Sequence, residues 1–85
     1  MLTLASVTLN WQPPASAQTG NITGYNVYRS AKSGGPYEVI ASRVPKSAYV
    51  DKNVESGKTY YYVITSVDHL GRESKHSEET RATVP

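Results

Sequence analysis

The sequence predicts an all-β fold, a sandwich of about seven short antiparallel strands with no helix. Three observations lead there. Short runs of residues alternate between apolar and polar with period two. Clusters of Gly, Pro and Ser separate these runs at intervals of roughly 8 to 12 residues. No apolar stripe at i, i+3, i+4, i+7 persists over about 11 residues, which removes the helical alternative. No self-similar period appears, so a stacked repeat is excluded.

Along the chain, Leu2-Thr3-Leu4 is long enough only for a stub of strand. Ser6 to Trp11 then alternates, with Val7, Leu9 and Trp11 on one face and Ser6, Thr8 and Asn10 on the other. Pro13 and Pro14 cannot donate to a ladder, so they close this strand and open a polar loop from Ala15 to Asn21. Ile22 to Ser30 is the next strand, with Tyr25 and Val27 sharing a face and Asn26 and Tyr28 the opposite one. Ala31 to Pro36 is a turn by composition, because glycine supplies positive φ and proline fixes the exit. Short strands follow at Tyr37 to Ala41 and Ala48 to Asp51, separated by Pro45-Lys46. Asn53 to Lys58 is a loop, His69 to Ser77 is a polar loop containing glycine, and Glu79 to Val84 is the last strand.

The stretch from Val54 to Asp68 is central. After a Ser-Gly turn it runs through Tyr60, Tyr61, Tyr62, Val63, Ile64 and Thr65, a composition suited to a pleated, half-buried surface. Period-two counting puts Tyr60, Tyr62, Ile64 and Ser66 on one face and Tyr61, Val63, Thr65 and Val67 on the other. The first row is read as inward. With Trp11, Tyr25 and Val27 it forms the expected core: Trp11, Tyr25, Val27, Tyr60, Tyr62 and Ile64.

Eighty-five residues make one domain, and a chain of this size buries only roughly 60% of its unfolded surface. Nine Lys and Arg against seven Asp and Glu give a net charge of +2. These charges are scattered and do not form a phosphate-binding patch, so no nucleic acid is expected as a partner. Cysteine is absent, which leaves the redox compartment undecided. No run of about 18 apolar residues exists to cross a membrane, and the start has neither a basic region nor the apolar core of a signal peptide. The abrupt start and stop suggest one module, residues 1–85, cut from a longer multidomain protein, with Met1 an added initiator.

Five fragments in order resemble a fibronectin type III domain. They are Val7-Thr8-Leu9-Asn10-Trp11-Gln12-Pro13-Pro14, Ile22-Thr23-Gly24-Tyr25-Asn26-Val27-Tyr28, Tyr49-Val50-Asp51, the stretch carrying Val54, Gly57, Tyr60 and Tyr62, and Gly71-Arg72-Glu73-Ser74. The resemblance implies an immunoglobulin-like sandwich with strands A, B and E in one sheet and C, C′, F and G in the other. It makes Trp11 the core tryptophan of strand B, Tyr25 the core tyrosine of strand C, and Tyr60 the corner tyrosine of strand F. Val54 and Ser56 depart from the leucine and proline usual before the glycine, and strand A is short. The phrasing is similar to bacterial members, which implies a secreted or cell-surface setting beside catalytic or carbohydrate-binding domains.

Residue chemistry adds no catalytic, cofactor or metal site. His69 and His76 lie near Asp68 and Glu73, but no rigid element converges them as zinc requires. No Ser, His and Asp are marked as a triad, and no Gly-rich phosphate loop occurs. Gly71-Arg72-Glu73 has the wrong order for the integrin-binding tripeptide Arg-Gly-Asp. Asn21-Ile22-Thr23 is a glycosylation sequon, meaningful only in a glycosylating secretory pathway. The remaining candidate is an outward strip of Tyr28, Tyr61 and Val63. Cross-strand packing between Tyr28 and Tyr61 accounts for it without a ligand. Contact with a neighbouring domain of the same chain, a polysaccharide or another protein is the functional alternative. The expected role is a monomeric, non-enzymatic spacer or interaction module.

Overall fold

Alternating apolar residues and proline-glycine breaks give six strands in a computed structural model that describes residues 5–13 and 21–85. They are β1 (Val7–Asn10), β2 (Ile22–Ser30), β3 (Glu38–Val44), β4 (Ala48–Asp51), β5 (Thr59–Asp68) and β6 (Thr80–Thr83). β1 pairs with β4 in one sheet; the other has the order β3-β2-β5-β6. All pairs are antiparallel. This is the sandwich that the sequence predicts, with its strand B–E and C′–C–F–G groupings. The stub at Leu2-Thr3-Leu4 and most of the loop from Ala15 to Asn21 lie outside the described residues.

Three boundaries differ from expectation. β3 runs to Val44, past Ala41, because it keeps pairing with β2 through register shifts between Tyr25 and Tyr28. Arg43 takes a left-handed φ of 55° there, and its amide donates to Asn26 Oδ1 at 3.1 Å. Gly24 meets this bulge: a side-chain carbon at that position would lie 3.0 Å from Arg43 Cα. The glycine therefore lets two backbones approach. β6 is shorter than Glu79 to Val84, and β1 excludes Trp11, although the Trp11 amide still donates to Ser47 O at 3.0 Å.

The core lies between the sheets. Val7 and Leu9 from β1 meet Val27, Val54, Tyr62 and Val84, with Trp11, Tyr60, Ile64 and Tyr49 packed half-buried around them. Tyr25 is also buried, and its ring meets Trp11 edge-on with centroids 5.4 Å apart. The turn before β5 is anchored at its base. Gly57, at φ 83°, donates to Val84 O at 2.9 Å, and Val84 donates to Lys58 O at 2.8 Å. The end of the chain is thereby tied to the same turn.

Candidate functional site

Tyr28, Tyr61 and Val63, the outward strip of the sequence, sit on adjacent strands of the large sheet. Tyr28 and Val63 are cross-strand partners, and Tyr61 faces Ser30 on one side and Arg81 on the other. Val63 is only 2% exposed, and Thr65, one step along the same face, is 1% exposed. Val63 is therefore not an exposed member of such a strip. The polar segment of residues 69–79 runs back along the edge of β5 as a strap, and its Glu73 side chain reaches across this face to Thr65 and Tyr28.

Two carboxylates hold the strap. Glu73 accepts from the Tyr28 hydroxyl, from Thr65 Oγ1 at 2.6 Å and from Asn26 Nδ2 at 3.2 Å. Glu79 accepts from Ser33 Oγ at 2.6 Å, from the Gly34 amide at 2.7 Å and from the Tyr37 hydroxyl. Between them the His76 ring packs against Tyr28 and Tyr37, at centroid distances of 5.2 and 5.7 Å. The bonds from Thr65 and Tyr28 hold the Glu73 carboxyl below the usual glutamate range. Those from Gly34, Ser33 and Tyr37 do the same for Glu79.

The strap also completes the edge of β5 beyond β6. Ser74 N and Ser77 N donate to Ser66 O and Ile64 O, both at 2.9 Å. In return Ser77 Oγ accepts from Ile64 N at 2.8 Å, and Ser74 Oγ accepts from Ser66 N at 2.9 Å. Each serine thus satisfies both polar groups of one β5 residue, which a regular strand partner would otherwise do.

A cleft of about 300 Å³ opens beside this edge, lined by Trp11, Tyr25, Ile64 and residues 74–77. Ser74, His76 and Ser77 on its wall have the residue types of a hydrolytic site, so their geometry decides. The hydroxyls of Ser74 and Ser77 donate to Lys75 O and Glu78 O, and the imidazole stacks on tyrosines. No described base contacts either hydroxyl as a nucleophile requires. Among the described residues, no group of three or more His, Asp or Glu is placed to hold a metal ion.

The strongest electrostatic feature lies between the sheets and was missed in the sequence. Asp51 at the end of β4 is 1% exposed. Its carboxylate accepts from Arg29 Nη1 at 2.9 and 3.1 Å, from the Tyr62 hydroxyl at 2.8 Å and from Asn53 N at 3.0 Å. Arg29 Nη1 also reaches Asn53 O at 3.0 Å, and its guanidinium lies 5.5 Å from the Tyr60 ring centroid. Burial alone would raise the Asp51 pKa, but the Tyr62 and Arg29 bonds outweigh it and hold the carboxyl below its usual range. The Tyr62 hydroxyl is pushed far up, first by burial and then by this bond. A signal existed: Arg29 shares the inward phase of Tyr25 and Val27, and Asp51 that of Tyr49. A charge in the inward register on each of two facing strands points to a buried pair.

Tyr60 closes the corner. Its hydroxyl accepts from the Glu55 amide at 2.9 Å, inside the turn that precedes β5. With the sandwich and this corner in place, comparison with known proteins decides the family: the profile of the fibronectin type III domain matches residues 2–83. The chain belongs to the fibronectin type III family. This domain is 46% identical over 76 residues to the amylopullulanase of Thermoanaerobacterium saccharolyticum, covering 89% of this chain and 6% of that protein. Among solved structures, an Fn3-like protein from Clostridium thermocellum superposes with a TM-score of 0.79 at 37% identity, covering 89% of this chain and 73% of that one. A beta-1,2-glucanase from Parabacteroides distasonis gives a TM-score of 0.77 at 32% identity, covering 93% of this chain and 11% of that one. In the amylopullulanase and the glucanase, then, the fibronectin type III match is a small part of a much longer chain.

Proposed function

We propose that this fibronectin type III domain is a non-catalytic spacer and interaction module in a longer secreted or cell-surface protein, acting as a monomer beside neighbouring domains of the same chain. One observation carries the reading: the polar groups that resemble site chemistry are committed to the fold. Glu73 and Glu79 hold the strap, Asp51 and Arg29 join the sheets, and Ser74 and Ser77 finish a strand edge. The amylopullulanase and glucanase comparisons support the multidomain setting. A test is to record amide and aromatic chemical shifts of the domain while adding malto-oligosaccharides, a β-1,2-glucan, or the flanking domain of the parent chain. Shifts with the flanking domain and none with either sugar are expected; saturable shifts with a sugar would overturn the spacer reading.

A second reading, binding of polysaccharide or protein along the strip, rests on Tyr61. It stays half-exposed beside Arg81 while Val63 is covered. In that case the same titration moves Tyr61 and Arg81 resonances together and leaves those of the opposite sheet still.

A further inference from the structure

We infer that the strap of residues 69–79 is a separately opening edge of the large sheet, clasped across its outer face by the Glu73 and Glu79 carboxylates and released by acid before the sandwich unfolds. On its face side the strap is bound through two side chains, each gathering three donors from other elements: Tyr28, Asn26 and Thr65 for Glu73, and Ser33, Gly34 and Tyr37 for Glu79. The strap residues themselves are exposed, so little apolar burial supports closure, and local opening draws on such weakly buried segments. On the β5 strand beside it, Val63, Thr65 and Val67 are all buried, and Thr65 bonds Glu73.

Protonation removes the charge that strengthens all six clasping bonds. The charged and titratable groups around the clasp are Tyr28 of β2, Tyr37 of the β2–β3 connection, Arg43 of β3 by way of Asn26, Arg81 of β6, and His76 within the strap. At the strap's root, Arg72 Nε pairs with Asp68 at 2.7 Å, and Asp68 Oδ1 accepts from the Leu70 and Arg72 amides. This root pair fixes the turn and leaves the face to the glutamates. Both glutamates titrate below the ordinary value of 4.5 when the strap is closed. Closure is therefore favoured fully above that pH and weakens as pH falls through the lower, closed-state values. Opening would free Tyr28, Asn26 and Thr65 from Glu73.

The test is hydrogen exchange at single residues. The amides of Ile64 and Ser66 donate to strap serines, whereas those of Val63 and Thr65 alternate to the β2 side of the same strand. In the wild-type domain, protection at Ile64 and Ser66 should fall about tenfold or more below that at Val63 and Thr65 as pH drops under 4.5. At neutral pH, Glu73→Gln and Glu79→Gln should produce the same selective loss. If Ile64 and Ser66 keep the same protection as Val63 and Thr65 across the pH range, the strap opens only with the whole domain and the inference fails. The wild-type titration decides the matter even where a variant does not fold. Because the readout is intramolecular, its failure leaves the spacer reading untouched.

Discussion

Arg29 Nη1 lies 2.9 Å from the nearer carboxylate oxygen of Asp51 and, with the Tyr62 hydroxyl on the same carboxylate, joins the two sheets. The pair is almost wholly desolvated on the Asp51 side, and Tyr62 and Asn53 complete the carboxylate's set of donors. Removing one partner strands the other, a more severe loss than removing both. Asp51→Asn should destabilise the domain by about 3 kcal/mol in urea unfolding. The double variant Arg29→Met, Asp51→Leu should lose less than that.

The same pair sets an acid limit. The folded-state pKa of Asp51 lies below its ordinary value of 3.8, so its contribution is complete above that pH and disappears as pH falls through the folded value. Unfolding free energy measured from neutral pH downward should hold until the carboxylate range and then drop. In Asp51→Asn the drop should be shallower.

Tyr60 and the Glu55 amide make a bond that water can replace, because Glu55 is exposed and the phenol only half-buried. Tyr60→Phe should therefore cost about 0.5 to 1.5 kcal/mol, the net worth of one hydrogen bond and not the penalty of a stranded buried group. Thermal or urea unfolding of the two proteins checks this.

Ser74 and Ser77 each replace a strand partner for one β5 amide. Ser77→Ala should cost about 1 kcal/mol and raise the exchange rate of the Ile64 amide specifically. Ser74→Ala should do the same at Ser66.

Gly24→Ala places a methyl group 3.0 Å from the Arg43 backbone, where no flexible side chain can move aside. A loss of about 1 to 3 kcal/mol is expected. Heteronuclear spectra should show shifts concentrated at Arg43 and Val44.

The parts of the fold legible in the sequence are those carried by local pattern. β2 and β4 have the expected limits because Tyr25 with Val27, and Tyr49 with Asp51, share an inward phase between clear breaks. The corner between Tyr60 and its turn could be reasoned from a phenol that needs a partner. What stayed hidden depends on tertiary return. Val63 looks outward on its strand, and nothing in its neighbours announces that it is buried there or that residues 69–79 return along the edge of β5. The reach of β3 to Val44 depends on a bulge whose left-handed Arg43 has no glycine to signal it. Arg29 and Asp51, 22 positions apart, carry their signal in phase alone, since each charge falls in an inward row of its strand.

The serine-bonded margin of β5 bears on how such modules behave when many sit close together. A bare strand border invites a second chain to add on, and linked copies meet at high local concentration. Here that border is already occupied from Ile64 to Ser66 by Ser77 and Ser74, whose hydroxyls consume the donors that an incoming strand would need. Neighbours in a string of such domains would find no free donor at Ile64 or Ser66, and could not extend the sheet along that stretch of β5.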